Sequence, residues 1–392
     1  MKFKRLGEKI IQVRGISYKP NDISAIPMPD YVPILKANNI KEEGLDTSDL
    51  IYIHKSKIKP EQFIKTGDLL LAASSGSKDI VGKNIYFESD FEGSFGAFCK
   101  LVRPKENINS RYLATFFKSL PFKRHIRKLL SGALINNLKN EYIDSLLIPD
   151  ISDSDQLHIA NLLSKAENLI AQRKESIRLL DEFLKSTFLE MFGDPIANKK
   201  KWKSLQVSEY GESRLGKMLD GKKITGNNLK PYLRNSNVLW FGFKLDDLLE
   251  MDFDEKDRAE FSLKNGDILM CEGGEIGRCA IWRDELEECY FQKAIHRIRL
   301  NKDIALPEYF VFMFWIYTMN GGLNKYMGAA TISHLTGEKL KKMKLPIPPI
   351  VLQTQFARIV EKTEALKSQY QQSLQELENL YGSLSQKAFR GS

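Results

Sequence analysis

Phosphate binding is the first chemistry that the residue spacing in this sequence could support. Gly216-Lys217-Met218-Leu219-Asp220-Gly221-Lys222-Lys223 has the Gly-x4-Gly-Lys spacing of a nucleotide phosphate loop. Lys223 stands where such a loop has its Mg²⁺-binding Ser or Thr, and no buried strand pattern precedes Gly216. Nucleotide hydrolysis is therefore not predicted, and two interpretations stay open: a basic loop beside DNA phosphates and an ordinary surface turn.

Metal-dependent and nucleophilic chemistry receives no better support. Asp220-x-Lys222 and Asp254-x-Lys256 match half of a metal-nuclease signature, but no Pro-Asp lies shortly upstream. The Asn/Asp-Pro-Pro-aromatic motif of amino-methyltransferases is absent from the sequence. The histidines and cysteines lack metal-ligand spacing; they are His54, His125, His158, His296, His334, Cys99, Cys271, Cys279 and Cys289. We expect no catalytic residue, no metal site and no cofactor bound by this chain.

A Gly-Asp pair followed by an apolar run and a glycine-rich loop occurs twice, and it favours binding. The runs are Gly67-Asp68-Leu69-Leu70-Leu71-Ala72 and Gly266-Asp267-Ile268-Leu269-Met270-Cys271. Glycines let a backbone approach a partner closely, although a hairpin turn explains any single glycine equally well. The predicted DNA contacts in these loops are Ser74, Ser75, Ser77, Lys78, Lys83, Glu272, Glu275 and Arg278.

A second loop also recurs, at residues 132–137 and 328–334. Its small and polar side chains suit base edges, since Asn pairs with adenine and Ser or Thr with several bases. The predicted contacts here are Asn136, Asn137, Thr331, Ser333 and His334. Two further repeated segments add Lys36, Asn38, Arg234, Asn235 and Asn237. A basic cluster suits phosphates, or is a solvated helix face; it contains Lys118, Lys123, Arg124, Arg127 and Lys128.

These paired motifs belong to an internal repeat with an offset of about 197 residues. Pro33-Ile34-Leu35-Lys36-Ala37-Asn38-Asn39-Ile40 matches Pro231-Tyr232-Leu233-Arg234-Asn235-Ser236-Asn237-Val238. Leu138 falls on Leu335, and Gln156 falls on Gln353. An ordered series along both halves indicates a duplication, and two copies are too few for a solenoid. We therefore predict two similar domains.

Each half ends in a proline followed by a long helical pattern, at about 155–191 and 352–390, with Asp155 or Ser154 as the first N-cap. Apolar residues alternate at spacings of three and four, the period of a coiled coil. The predicted helix-pairing and partner-binding residues are Leu163, Ile170, Ile177, Leu180, Leu184, Val360, Tyr370, Leu374, Leu377 and Leu384. Separate packing of each helix on its own domain is the alternative.

The predicted fold class is α+β. Residues 1–150 and 196–350 form two mixed α/β domains with mostly antiparallel sheets, and residues 151–195 and 351–392 form the long helices. The helices pair as an antiparallel coiled coil, which would hold one domain at each end of a rod.

Composition limits the functional class. The chain has 392 residues, with 59 basic and 50 acidic ones, so the formal net charge is +9. This modestly favours nucleic-acid binding. Because no Cys-x-x-Cys spacing, long apolar run or signal-peptide pattern occurs, we expect a cytoplasmic protein that is neither secreted nor membrane-bound.

Taken together, these features resemble the specificity subunit of type I restriction–modification systems. The most specific similarity is Thr331-Ile332-Ser333-His334-Leu335, then Leu340-Lys341-Lys342-Met343-Lys344-Leu345-Pro346-Ile347-Pro348-Pro349, and Lys387-Ala388-Phe389-Arg390-Gly391. The first half departs from the pattern, because Ile148-Pro149-Asp150 lacks the double proline and Ala133-Leu134-Ile135-Asn136 replaces the Thr-containing loop.

The resemblance implies two target recognition domains, each reading one half of a split, asymmetric site on double-stranded DNA. It also implies that the paired helices set the gap and dock two methyltransferase (modification) subunits, joined by restriction subunits. S-adenosylmethionine, ATP and Mg²⁺ would bind those partners, and the specificity subunit would not be catalytic. The alternatives are a standalone nucleic-acid-processing enzyme, a coiled-coil scaffold without DNA, and a specificity subunit lacking restriction partners.

Overall fold

A computed structural model describes residues 2–41, 44–74, 80–131, 137–218, 226–326 and 334–389 of the chain. Contacts divide the chain into two compact units. Unit 1 comprises Met1–Lys174 and Gln372–Ser392, and unit 2 comprises Glu175–Gln371. Both units are mixed α/β, as predicted, and each long helix contributes residues to both of them.

The described residues of unit 1 form three sheets. Its strands are β1 (Phe3–Arg5), β2 (Ile10–Arg14), β3 (Ile23–Ser24), β4 (Tyr31–Leu35), β5 (Ile51–His54), β6 (Leu69–Ala72), β7 (Asn84–Tyr86), β8 (Ser94–Phe95), β9 (Cys99–Pro104) and β10 (Leu147–Pro149). Its helices are α1 (Ser110–Lys118), α2 (Leu120–Ser131), α3 (Asn140–Asp144) and the first part of α4 (Asp153–Phe192). The sheet orders are β1-β10, β2-β9-β6-β7 and β3-β5-β4-β8.

Four sheets are formed by the part of unit 2 that the structure describes. Its strands are β11 (Lys203–Gln206), β12 (Gly211–Leu215), β13 (Leu229–Leu233), β14 (Val238–Leu239), β15 (Gly242–Phe243), β16 (Leu249–Asp252), β17 (Ile268–Cys271), β18 (Cys279–Ile281), β19 (Tyr290–Phe291), β20 (Ile295–Leu300) and β21 (Lys344–Ile347). Its helices are α5 (Val207–Tyr210), α6 (Glu255–Phe261), α7 (Pro307–Met319), α8 (Gly337–Lys342) and the first part of α9 (Ile350–Phe389). The sheet orders are β11-β21, β12-β20-β17-β18, β16-β13-β19 and β14-β15.

The two units share most of their strand pairings. The antiparallel sheet β2-β9-β6-β7 corresponds to β12-β20-β17-β18, and β1-β10 corresponds to β11-β21. The parallel pair β4–β8 corresponds to β13–β19, and the other pairs among the described strands are antiparallel. The duplication read from the sequence is therefore also present in the sheets.

The two long helices run antiparallel within each unit. In unit 1, Glu167 of α4 accepts a hydrogen bond from the Tyr381 hydroxyl of α9 at 2.8 Å, and Lys174 pairs with Glu378 at 2.9 Å. In unit 2, Lys367 of α9 donates to Asp181 of α4 at 2.5 Å. All ten predicted pairing residues are buried or half-buried, because their three-and-four spacing keeps one face of each helix covered.

The first long helix begins two residues before its predicted start. The Ser152 hydroxyl oxygen accepts a hydrogen bond from the Asp155 amide at 3.2 Å and donates to the Asp155 carboxylate at 2.7 Å. Ser152 is thus the N-cap, and Asp155 and Ser154 lie inside the helix. A cap of this kind typically stabilises a helix by about 1 kcal/mol.

A buried glutamine ties each long helix to its domain. The Gln156 side-chain carbonyl accepts from the Asn109 amide, just before α1, at 2.8 Å. The Gln353 carbonyl accepts from the Leu306 amide, just before α7, at 2.9 Å. These two residues were a matched pair of the repeat, and their shared role is to satisfy an unpaired amide at the start of a domain helix.

Aromatic rings join α4 to the core of unit 2. Phe188 is fully buried and lies 5.7 Å from Tyr309 of α7 and 5.4 Å from Phe356 of α9, between ring centroids. Such pairs each contribute about 0.5–1.5 kcal/mol beyond their burial. In unit 1, Phe389 of α9 packs in the same way, 5.4 Å from Tyr112.

Candidate nucleic-acid interface

The repeated loops meet in each unit, where they form two equivalent sites. Site 2, in unit 2, consists of the turn Asn235–Asn237, the glycine loop 272–278 and the end of the second loop at His334. Site 1, in unit 1, consists of the described ends of the glycine loop, at Ser74 and at residues 80–83, and of the end of the second loop at Asn137; the turn Ala37–Asn39 is the counterpart of Asn235–Asn237 in the repeat. Each glycine loop follows the strand that the Gly-Asp motif begins.

Hydrogen bonds connect all three segments of site 2. The Asn235 amide group donates to the Gly273 carbonyl at 3.1 Å, and Arg278 donates to the Asn235 carbonyl at 2.9 Å. The Leu335 amide donates to the Glu272 carbonyl at 2.9 Å, which fixes the end of the second loop beside the glycine loop. His334 itself is exposed.

Site 1 has the same backbone arrangement. The Leu138 amide donates to the Ala73 carbonyl at 2.7 Å, as Leu335 does to Glu272. Ser74 and Asn137 form an isolated β-bridge, so the two loops are adjacent here as well. Asn137 and Asn38 are exposed, whereas Ser74 and Lys83 are half-buried. The structure therefore brings together loops that lie more than fifty residues apart in the sequence.

Buried side chains anchor the end of each second loop. The Lys100 ammonium group donates to the Leu138 carbonyl at 2.9 Å and to Asn140 at 2.5 Å. In unit 2 the equivalent position holds His296, whose Nε2 is 3.0 Å from the Leu335 carbonyl. Both side chains are buried, and since an unpaired buried carbonyl is costly, these bonds hold the loop end in place.

Lys339 of α8 adds a second anchor in unit 2. Its ammonium group donates to the Tyr326 carbonyl at 3.0 Å and to the His334 carbonyl at 3.4 Å. These carbonyls flank residues 327–333, so one side chain joins the two ends of the second loop. Lys100, His296 and Lys339 were not predicted as site residues; the equivalence of Lys100 and His296 is visible only in the strand register, where they pair with Leu71 and Met270.

Lowering the pH should reduce the folding stability of unit 2, because its buried His296 resists protonation. Burial lowers the pKa of His296 below its usual 6.5, against the opposing effect of the Leu335 hydrogen bond. As pH falls through about 6.5, the unfolded chain gains a proton before the folded chain does, so stability is lost; each unit of depression corresponds to about 1.4 kcal/mol. We expect the Tm to fall less between pH 7.5 and 5.5 in His296→Gln than in wild type, because the glutamine side chain does not titrate; its amide group is also able to donate to the Leu335 carbonyl.

Differential scanning calorimetry at both pH values measures this effect. The exposed His158 provides a matched control, and His158→Gln should show the full wild-type decrease. An equal decrease in Tm in His296→Gln and in wild type would contradict the assignment of this pH effect to His296.

The glycines of these loops serve the fold of the chain itself. A Cβ on Gly273 would lie 2.8 Å from the His334 ring, and a Cβ on Gly277, whose φ is +81°, would lie 2.7 Å from Phe314. Gly82, the equivalent of Gly277, has a φ of +87° and lies against Ile126. Close approach is thus required, as expected, but the neighbouring group belongs to the chain itself.

Asn237 is fully buried and cannot reach DNA, which corrects the prediction for this residue. Its side-chain oxygen accepts from the Arg234 amide at 2.9 Å, and its amide group donates to Lys244 and Asp247. Asn39 makes the same turn in unit 1, with the Lys36 amide 2.7 Å from its side-chain oxygen. Both asparagines therefore shape the loop.

Three of the predicted cationic contacts are paired with carboxylates. Lys36 pairs with Asp49 at 2.7 Å, Arg234 with Asp247 at 3.2 Å, and Arg278 with Glu275 at 2.5 Å. Ion pairs near the surface contribute about 0–1 kcal/mol, so a DNA phosphate can replace the carboxylate at small cost.

Six predicted contacts lie outside the described residues: Ser75, Ser77, Lys78, Asn136, Thr331 and Ser333. In the basic cluster, Lys118 pairs with Glu167 of α4 at 2.7 Å and so joins α1 to α4. Lys123, Arg124, Arg127 and Lys128 are exposed on α2, which leads into the second loop of site 1.

The motifs considered for catalysis have structural roles where they are described. Asp254 is the N-cap of α6 and accepts from the Asp257 amide at 2.8 Å. Lys217 of the phosphate-loop-like segment pairs with Asp257 and donates to the Asp252 carbonyl at 2.5 Å. Asp220, Lys222 and Lys223 lie outside the described residues.

The four cysteines are free and buried. Burial raises the pKa of Cys99 and of Cys289 to about 12, so neither thiol is a ready nucleophile. Across the described ranges, no cluster of His, Cys, Asp and Glu could hold a metal ion, and no described helix is both long and apolar enough to cross a membrane.

Both Gly-Asp motifs form buried ion pairs. Asp267 accepts from Arg299 at 2.7 and 2.6 Å and from the Lys264 amide at 2.8 Å. Asp68 accepts from Arg103 at 2.8 and 2.7 Å and from the Lys65 amide at 2.8 Å. The motif read as a binding signal thus fixes the strand from which each glycine loop extends.

The fold and the paired loops define a duplicated α/β protein that presents one loop cluster from each unit. Residues 199–379 match the model of the type I restriction modification DNA specificity domain. The chain is 29% identical over 400 residues to the type I restriction enzyme EcoKI specificity subunit of Escherichia coli K12, covering 97% of this chain and 86% of that one. It is 27% identical to the StySPI specificity subunit of Salmonella potsdam, with the same coverage.

Solved structures share the fold. The crystal structure of a type I restriction–modification S subunit from M. genitalium aligns with a TM-score of 0.57 at 13% identity, covering 100% of this chain and 96% of that one. A structure concerned with assembly and conformational transition of the type I R-M system aligns with a TM-score of 0.58 at 17% identity, covering 100% and 97%. The chain is thus similar over nearly its whole length to type I restriction–modification specificity subunits, and it shares their fold.

Proposed function

We propose that this chain is the DNA-recognition subunit of a type I restriction–modification complex and that each unit reads one half of a bipartite site on double-stranded DNA. The observation that carries the proposal is the duplicated junction of turn, glycine loop and second loop. One backbone scaffold occurs twice, with different side chains at the positions that face solvent. Such a pair suits an asymmetric site, because each loop set can specify its own bases.

The side chains of the two sites support different readouts. Site 1 exposes Asn38 and Asn137, which suit adenine, and the exposed basic residues of α2 precede its second loop in the sequence. Site 2 exposes His334 and Glu275, with the half-buried Arg278 between the loops. Thr331, Ser333 and Asn136 remain proposed base contacts, since they belong to the same second loops.

We further propose that two methyltransferase subunits dock on the long helices, with restriction subunits joining the assembly. The predicted pairing residues are buried or half-buried, so a partner would use other positions. Leu162 and Leu169 of α4 are exposed in unit 1, as are Leu179 and Phe183 in unit 2. Leu162 and Leu169 are seven residues apart, so they lie on one face of α4, and a partner subunit could cover such a contiguous apolar face.

In this proposal the chain is not catalytic, and S-adenosylmethionine, ATP and Mg²⁺ bind the partner subunits. Two residues of the motifs that could have served an enzyme, Asp254 and Lys217, instead cap a helix and hold a strand end. Four free, buried cysteines suit a reducing compartment, and we place the protein in the cytoplasm.

Binding assays on the purified complex of this chain with its methyltransferase subunits test the proposal. Its affinity should be at least about 10³-fold higher for duplexes carrying the target than for scrambled duplexes. Affinity for both should fall steeply with added salt, since phosphate contacts release counterions. Equal affinity for target and scrambled DNA at every salt concentration would refute sequence recognition.

A further inference from the structure

One aromatic side chain at site 1 is exposed although the fold does not require it. Phe98 lies in the turn between β8 and β9, and 67% of it is exposed to solvent. Single exposed apolar residues are common and by themselves signify little. The position of Phe98 relative to the loops is what distinguishes it.

The backbone of Phe98 joins the two loops of site 1. Its carbonyl accepts from the Ala73 amide at 2.9 Å and from the Ser74 amide at 3.1 Å. Ser74 is bridged in turn to Asn137 of the second loop. The ring is therefore attached where the glycine loop and the second loop meet.

The turn that carries the ring is held firmly. The Gly96 amide donates to the Leu35 carbonyl at 2.9 Å, and the Cys99 amide donates to the Gly96 carbonyl at 2.9 Å. Gly15 packs so closely against Gly96 that a Cβ on it would lie 2.1 Å from the Gly96 oxygen. A side chain on such a turn is preorganised, so little conformational freedom of the backbone is lost on binding.

The second unit builds the same turn without an aromatic residue. There the Ala294 carbonyl accepts from the Glu272 amide at 3.0 Å, and the Ile295 amide donates to Gln292 at 3.0 Å. Ala294 thus takes the place of Phe98, and the neighbouring Lys293 is exposed. Because alanine satisfies this turn, the phenylalanine of unit 1 has a reason other than the fold.

We propose that Phe98 is a specificity-determining residue whose ring makes an apolar contact with a base of the half-site read by unit 1, an inference that rests on the proposed function. The C5 methyl group of thymine is the apolar group on a base edge in the major groove, and it is the complementary partner for the ring. The second half-site would lack this contact, since Ala294 is too small to make it.

Phe98→Ala in the complete methyltransferase complex tests the proposal. Because the side chain is exposed, the variant should fold with an unchanged Tm. Its Kd for the target duplex should rise about tenfold, within the range for one lost base contact. On a duplex whose first half-site is scrambled, variant and wild type should bind equally. Ile26→Ala is the control: Ile26 is also 67% exposed in unit 1, and its Kd should change less than about twofold.

Replacing each thymine of the first half-site by deoxyuridine then identifies the base. Wild type should lose affinity at one thymine, and Phe98→Ala should be insensitive there. An unchanged Kd in Phe98→Ala, or an equal loss on target and scrambled duplexes, would overturn the proposal. If wild type and Phe98→Ala responded equally to deoxyuridine at every thymine, the proposed thymine contact would be overturned. If the wild-type complex itself did not distinguish target from scrambled DNA, the proposed function would fail instead.

Discussion

Asp267→Ala should destabilise unit 2 by about 3 kcal/mol, the lower end of the range for breaking a buried ion pair. The substitution removes both carboxylate oxygens that Arg299 contacts and leaves the Lys264 amide without its acceptor. Asp267 is 1% exposed, so water cannot replace it without rearrangement, whereas Arg299 retains some solvent contact. Urea denaturation followed by tryptophan fluorescence measures the effect, because Trp282 is buried in the same unit.

Two variants control this prediction. Asp181→Ala breaks a more exposed ion pair of the same unit, with Lys367, and should cost less than about 1 kcal/mol. Asp267→Leu combined with Arg299→Met removes both charges and should cost less than Asp267→Ala alone. Similar losses of unfolding free energy in Asp267→Ala and Asp181→Ala would show that the Gly-Asp motif does not form a stabilising buried ion pair.

The second large effect concerns recognition. Replacing both Arg278 and His334 by alanine should weaken binding to the target about 100-fold while leaving non-specific binding within about threefold. Arg278 links the glycine loop to the Asn235 turn, and His334 is the exposed end of the second loop. Fluorescence anisotropy with the target duplex, with each half-site scrambled in turn, measures both quantities.

The loss should appear only when the second half-site is intact. Arg283→Ala is the matched control, because Arg283 is an exposed arginine of unit 2 that pairs with Glu308 rather than with the loops. Site 2 would not be the site that recognises the second half-site if the double variant lost affinity equally for both half-sites. The same conclusion would follow if Arg283→Ala lost as much affinity for the target as the double variant.

The sequence alone predicts the duplication, both long helices and their pairing face. These follow from periodic patterns. The ion pairs Lys174–Glu378 and Lys367–Asp181 join the two helices, whereas Leu163 and Leu184 are buried in the cores of the two units. The start of α4 was predicted too late. Ser152 caps the helix through its hydrogen bonds with the amide and carboxylate of Asp155. In the sequence alone, Ser154 is an equally plausible N-cap.

The site was predictable only in part. Loop positions such as Asn137 and His334 follow from the repeat, and both are exposed. The role of Asn237 was misread, because a polar residue in a repeated turn has the same sequence signature whether it faces DNA or satisfies the backbone. Phe98 was missed because its importance arises from the Ala73 and Ser74 amides, about 25 residues earlier in the chain.

A map of methylated adenines across the genome of the source cell, with the gene intact and deleted, tests the central claim most directly. Deletion should remove one bipartite, gapped motif and leave all others unchanged. Restoring the gene with Arg278 and His334 replaced should alter only one half of that motif. Identical maps with and without the gene would contradict the assignment of this chain as the subunit that selects the DNA sequence.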